Sequence, residues 1–411
     1  MRSKVLPLIL AALLTLPGLW LRLSGMHMAP PPAALLSGLA ILGASFLLLW
    51  ACDVAQLDIP QTLALAVVAL IAVLPEYAVD MYFTWQAGKF PESDYAHYAI
   101  ANMTGANRLL IGVAWSTIAA IHWLRTRRRV TLDVEQRTEV LFLGLATAYA
   151  FFIPIKGSLA WYDGVIFLSL YVWYIRLAGK RPCQECELDG PAALIGGLPR
   201  TRRRLTVTAL FLFAAGVILA NAELFSENLV ATGKVYGINE FLLVQWLAPI
   251  ASEAPEFIVA IMFVLRGQAA VAMGSLLSSK LNQWTLLVGM IPGVYGLASG
   301  GFAQPLPLGS YQMHEIFLTA AQSLLAVALL APLTLGPGAA LLLFGMFAGQ
   351  LLSPYLLAGL NIPALPWGNS TDGLHRLFSA GYVILFLCIA WRNRHDVWAL
   401  RKGARVEQTI V

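Results

Sequence analysis

Runs of about 20 apolar residues recur along this chain, and each is long enough to cross a bilayer as a helix. Twelve are counted, at about 5–23, 34–52, 62–86, 96–123, 138–157, 161–178, 205–226, 238–265, 268–296, 313–332, 338–358 and 374–392. Only 12% of residues are charged, where a soluble protein of similar size carries roughly 25%. The expected fold is therefore all-α and polytopic, with about 12 transmembrane helices.

Arginine and lysine set the expected orientation. Arg125, Arg127, Arg128, Arg129 and Arg137 follow the fourth span. Lys180, Arg181, Arg200, Arg202, Arg203 and Arg204 follow the sixth, and Arg392, Arg394, Arg401, Lys402 and Arg405 form the tail. With both termini inside, all three clusters fall in the cytoplasm. The first span follows Arg2 and Lys4 as a signal peptide would, but Pro17 interrupts it and no clear small-residue cleavage site follows. It reads as a retained helix.

A charge at bilayer depth costs about 2.5–3.5 kcal/mol on insertion scales, so deep charges are informative. They are expected in two helix pairs only. Span three carries Glu76 and Asp80, and span four Arg108. Span eight carries Glu253 and Glu256, and span nine Lys280. Span three reads Ile71-Ala72-Val73-Leu74-Pro75-Glu76, and span eight reads Ile250-Ala251-Ser252-Glu253-Ala254-Pro255-Glu256. Each places Pro-Glu inside an apolar helix and is followed by a small, polar span. Proline cannot donate to the carbonyl four residues back. The carbonyls of Ile71 and Ala251, beside glutamates, would then offer oxygen ligands suited to hard cations. A structural kink, and close packing permitted by small residues, are the plain alternatives.

Spans two to six and seven to eleven are five each, so the second unit enters the membrane from the opposite side, as in many secondary transporters. The expected organisation is a flanking helix over 1–30, a first five-helix repeat over 31–178 (its polar pair at about 62–123) and a connector over 179–204. A second repeat follows over 205–360 (polar pair about 238–296), then a flanking helix and basic tail over 361–411.

These residues resemble the paired α-repeats of the sodium/calcium exchangers, within the calcium/cation antiporter superfamily. That resemblance implies ten core helices and alternating access around the Pro-Glu motifs. It implies that Glu76 and Glu256 are the central cation-binding carboxylates and that Ser252 is a hydroxyl ligand. Glu253 stands where the family commonly has serine. Asn102 and Ser275 match the first small polar motif, and Gly105-Ala106-Asn107 and Ser278-Ser279-Lys280 match the Gly-Ser-Asn triplets. Gln283 falls at a further ligand position. The implied metal ligands are thus Glu76, Asp80, Asn102, Asn107, Ser252, Glu253, Glu256, Ser275, Ser279 and Gln283. The sequence departs from the pattern at Ala72 and Val73, which replace hydroxyl residues, at Leu110, the counterpart of Gln283, and at Lys280. An ammonium about 4 Å from a monovalent cation opposes it by roughly 4 kcal/mol at an effective dielectric near 20. Lys280 is thus expected either to act as an internal counter-ion or to snorkel to the membrane edge.

The expected function is secondary cation antiport of sodium/calcium exchanger type. Proton-coupled exchange of sodium or calcium is the alternative, because carboxylates can trade a metal for protons. A scaffold or sensor that keeps the fold without transporting is a further reading. No nucleophile–base pair or nucleotide-binding loop is present, so no enzyme activity and no cofactor are expected, only carried Na⁺, Ca²⁺ or H⁺. The expected partners are the lipid bilayer and inorganic cations. The basic clusters read as topology and headgroup contacts rather than nucleic-acid binding. The expected location is the plasma membrane. Cys183 and Cys186 form half of a zinc pattern, with no second pair nearby.

Overall fold

The structure is a computed structural model describing residues 2–58, 73–179, 188–302, 304–359 and 371–404. Ile71, Ala72, Cys183, Cys186 and much of span three lie outside the described residues. Elsewhere every expected span is helical. Eight helices among the described residues are long and apolar enough to cross a membrane.

Residues 1–102 and 175–256 form one compact unit. Its core is built by helices α1 (Arg2–Ser24), α2 (Pro30–Ala55) and the long α10 (Arg200–Tyr236). Ala40, Ala44, Leu47, Leu48 and Ala51 of α2 pack with Ala11 of α1 and Ala214, Val217 and Ile218 of α10. Small residues let the backbones approach, which drives helix association where lipid offers no hydrophobic gain. A Cβ on Gly43 would lie 2.5 Å from the Ala11 carbonyl oxygen. α3 (Leu74–Lys89) packs on α10, and the short α9 (Gly190–Gly196) covers α1 and α2.

The helix α10 runs ten residues past the expected end at 226. Just past that end, Tyr82 of α3 and Tyr95 both donate to Glu227 Oε1 at 2.6 Å. At the other end, Asp58 follows α2 and accepts from Arg203 at 2.7 and 3.0 Å and from Arg204 at 3.2 Å. The Arg203 hydrogen bond, reinforced by Arg204, holds the Asp58 carboxyl down at about 2.

Residues 103–174 and 257–411 form the second unit. It contains α5 (Ser116–Thr126), α6 (Arg137–Ala150), α7 (Phe152–Lys156) and α8 (Trp161–Ala178). It also contains α12 (Ala269–Asn282), α13 (Val288–Ser299), α14 (Ser310–Leu330), α15 (Pro337–Gly359), α16 (Thr371–Arg392) and α17 (Arg394–Ala399). Two short antiparallel ladders tie its loops, Val130–Thr131 with Thr334–Leu335 and Ser158–Leu159 with Leu306–Pro307. The unit boundaries fall inside α4 (Tyr95–Leu109), α8 and α11 (Glu240–Leu265).

Spans four and nine were expected as single helices. Both contain a π-helical segment, Leu110–Trp115 between α4 and α5 and Gln283–Leu287 between α12 and α13. Each directly follows the small polar motif and carries a fully buried tryptophan, Trp115 or Trp284. π segments are rare and gather at functional sites.

Candidate cation site

In the first unit the described part of span three begins where proline requires it. Val73 has φ −91° and ψ 8°, α3 starts at Leu74, and Pro75 occupies its first turn, where a missing N–H costs nothing. Glu76 falls in that same turn. The unsatisfied amides and positive dipole end of a helix favour negative charge there. Glu76 is only 2% exposed and Asp80 completely buried. The two are four residues apart, hence on one face.

Asp80 Oδ1 accepts from Asn102 Nδ2 at 3.2 Å, which joins α3 to α4. Among the described residues, Asp80 Oδ2 and Asn102 Oδ1 are buried with no hydrogen-bond donor. Burying a carboxylate is costly unless it is paired. A proton or a cation at this pair would remove the cost.

The Pro-Glu of span eight behaves differently. The helix α11 runs unbroken through Pro249 and Pro255. Neither proline can supply a helical N–H, to the carbonyl of Gln245 or that of Ala251 respectively. Ser252 donates back to the carbonyls of Ala248 and Pro249, both at 3.3 Å, which leaves its oxygen lone pairs as acceptors. Glu256 is four residues from Ser252 and three from Glu253, so it neighbours both on the helix surface. Both glutamates are half-buried.

In the second unit Lys280 is completely buried, so it does not snorkel to an edge. Its ammonium donates to Asn107 Oδ1 at 2.6 Å and lies 4.5 Å from the centre of the Trp284 ring. Asn107 donates its own Nδ2 to the Met103 carbonyl at 2.7 Å, which fixes its oxygen toward the lysine. Ser279 and Gln283 are buried on the same helical stretch, but Ser275 is exposed. The structure therefore brings Asp80 with Asn102, and Asn107 with Lys280, and leaves Ser275 apart from the Asn107–Lys280 pair.

Deep charges are not confined to two helix pairs. Arg108 and Glu315, on α4 and α14, form an ion pair with exposures of 1% and 0%. His375 Nε2 of α16 lies 3.4 Å from the other Glu315 oxygen. Gln322 donates to the Arg108 carbonyl at 3.3 Å, just before the π segment. Buried Asp163 accepts from Tyr149 and from the Ala160 amide, both at 2.6 Å, and pairs with Lys156. Buried Glu139 accepts from Tyr174 at 3.1 Å. A polar stripe at Gln312, Glu315, Thr319 and Gln322 repeats at helical spacing and signals the Glu315 cluster.

The pattern of the family described as sodium/calcium exchanger protein matches twice, over residues 32–179 and 206–356. The chain belongs to the sodium/calcium exchanger family. It is a membrane-embedded cation antiporter of that family, as the Pro-Glu motifs led one to expect. The crystal structure of the H⁺/Ca²⁺ exchanger CAX is 44% identical, with a TM-score of 0.89, over 98% of each chain. The candidate antiporter CaxA of Alkalimonas amylolytica is 23% identical over 59% of this chain and 74% of its own. A structure of the sodium-calcium exchanger NCX_Mj, 20% identical, shares the fold with a TM-score of 0.51, over 78% of this chain and 97% of that one.

Proposed function

We propose that this antiporter exchanges Ca²⁺ for protons across the cell membrane. The observation that carries this reading is the buried Asp80–Asn102 pair, whose two free oxygens have no donor among the described residues. Such a pair suits alternate occupancy by a proton and a metal ion. The full-length likeness to an H⁺/Ca²⁺ exchanger supports the choice of ions.

In this mechanism Glu76 and Glu256 are the exchanging carboxylates, one beside each Pro-Glu proline. Asp80, Asn102, Ser252 and Glu253 supply further oxygens on the helices of the first unit that carry them. Loss of two protons from two carboxylates, followed by capture of one Ca²⁺, leaves the site's charge unchanged. Low dielectric surroundings disfavour an empty, doubly ionised site, and this couples the two ions. The two stretches are proposed to be inverted five-helix repeats with both termini in the cytoplasm, and the chain to be a transporter with no enzymatic activity.

The test is Ca²⁺ uptake into proteoliposomes under imposed gradients. Uptake driven by a pH gradient with the Ca²⁺-loaded side alkaline, with matched proton release, is the expected result. Uptake that follows a Na⁺ gradient at clamped pH would overturn it.

A further inference from the structure

We infer that the Lys280 ammonium is a tethered, resident cation that fills a site built for a small free monovalent ion. The inference rests on the antiporter reading only for its consequence, that transport is indifferent to Na⁺ and K⁺.

Three features of the second unit carry it. First, the ammonium is bound by the two neutral group types that recognise positive charge. One is the Asn107 carbonyl oxygen at 2.6 Å, and the other is the Trp284 ring face at 4.5 Å. Second, the oxygen is pre-aimed. The Asn107 amide nitrogen is committed to the Met103 carbonyl at 2.7 Å, so only the oxygen can turn toward the lysine. Third, the cage is closed: Lys280 and Asn107 are fully buried and Trp284 is 1% exposed. A lysine whose task was to mark the membrane edge would extend its amine to the surface, and this one does not.

The position matters as much as the geometry. Asn107 ends the small polar motif of span four, and Lys280 occupies the corresponding place in span nine. The Asn107 oxygen that a mobile ion would otherwise use is permanently taken by a charge on the chain itself. The ammonium carries the unit charge of Na⁺ or K⁺ but cannot leave. One monovalent position is thereby removed from the transport cycle.

The experiment is thermal unfolding of the purified full-length protein in detergent, in matched chloride salts of Na⁺, K⁺, methylammonium and choline at about 100 mM. That level gives a large stabilisation of any site with millimolar affinity. Choline, too bulky for the cage, controls for ionic strength. The parent is expected to unfold at one temperature in all four salts. Lys280→Ala is expected to unfold lower in choline, and to regain several degrees in at least one small cation. Lys280→Arg, which keeps the charge, is expected to remain indifferent.

The inference is overturned if Lys280→Ala responds no more than the parent, or if the parent itself is stabilised selectively by Na⁺ or K⁺. If Lys280→Ala is unfolded in choline, recovery of monodisperse protein on purification in a small cation supports the inference, and failure in all of them overturns it. The readout needs no calcium, so it fails or succeeds separately from proton-coupled exchange. A lysine with only a packing role would give destabilisation without salt selectivity.

Discussion

Removing one partner of the Arg108–Glu315 pair is the most informative test of how the second unit holds together. Both side chains are sealed from solvent, at 1% and 0% exposure. Truncating one member of a buried pair costs about 3–5 kcal/mol, because the other charge is left in low dielectric. In Arg108→Met, Glu315 keeps His375 at 3.4 Å, so the loss belongs near the lower end, about 3 kcal/mol. In Glu315→Gln the guanidinium keeps a backbone acceptor, the Thr104 carbonyl, at a weak 3.4 Å, so the loss belongs higher, toward about 5 kcal/mol. The unfolding midpoint should fall by about 3–10 °C, since the shift per kcal/mol shrinks as the cooperative unit grows. The double variant Arg108→Met/Glu315→Leu should recover more than half of the larger single loss, because a well-packed apolar pair replaces two buried charges. Thermal unfolding in detergent, with gel filtration to confirm a folded starting state, measures all three. Single variants as stable as the parent, or losses that simply add in the double variant, would refute the reasoning.

Other outcomes follow from the same structure. Glu76→Gln and Glu256→Gln should each abolish Ca²⁺ flux while leaving the unfolding midpoint within a few degrees of the parent, and near-normal transport by either would make that carboxylate structural. Asp58 is held at about 2 in the folded protein against about 3.9 for an ordinary aspartate. Its contribution to stability is therefore complete above about pH 4 and lost as the pH falls through about 2. Asp58→Asn should lower the midpoint at neutral pH and flatten its fall on acidification between these limits; an unchanged acid profile would count against the Arg203 contact. Gly43→Ala should destabilise the first unit by about 1–3 kcal/mol, because the new methyl meets the Ala11 carbonyl at 2.5 Å. A neutral result there would mean that α1 is not packed against α2 as described.

Much of this was legible from sequence because lipid imposes a length and a polarity rule that few other environments do. The span limits were recovered to within a few residues at most ends, and the Pro-Glu and small polar motifs located Asp80, Asn102, Asn107 and Lys280. The failures share a physical cause. The helix α10 outruns its expected end because Glu227, polar though it is, is satisfied by two tyrosines. Glu315 and Asp163 fall outside the two expected helix pairs, because distance from the end of an apolar run does not reveal a partner elsewhere in the fold. The π segments were invisible, since a change of hydrogen-bond register leaves hydropathy unchanged. The unbroken course of α11 through two prolines shows that proline marks a missing donor, not necessarily the end of a helix.

The π segments carry a consequence for numbering along these helices. An α-helix turns about 100° and rises about 1.5 Å per residue, and a π segment packs an additional residue into the same stretch. Positions before and after Leu110–Trp115 are therefore read in different phases, so a face traced from Asn107 does not continue unbroken onto α5. Deleting one residue there would let the stretch relax to α geometry. Ser116–Thr126 would then keep its place, with Ile118 and Ala119 buried as they are now, whereas one residue deleted from the regular helix on either side would turn the rest by about 100° and draw it back by about 1.5 Å. Spans four and nine can thus lose one residue at Leu110–Trp115 or Gln283–Leu287 without turning the helix that follows, which a regular transmembrane helix cannot do.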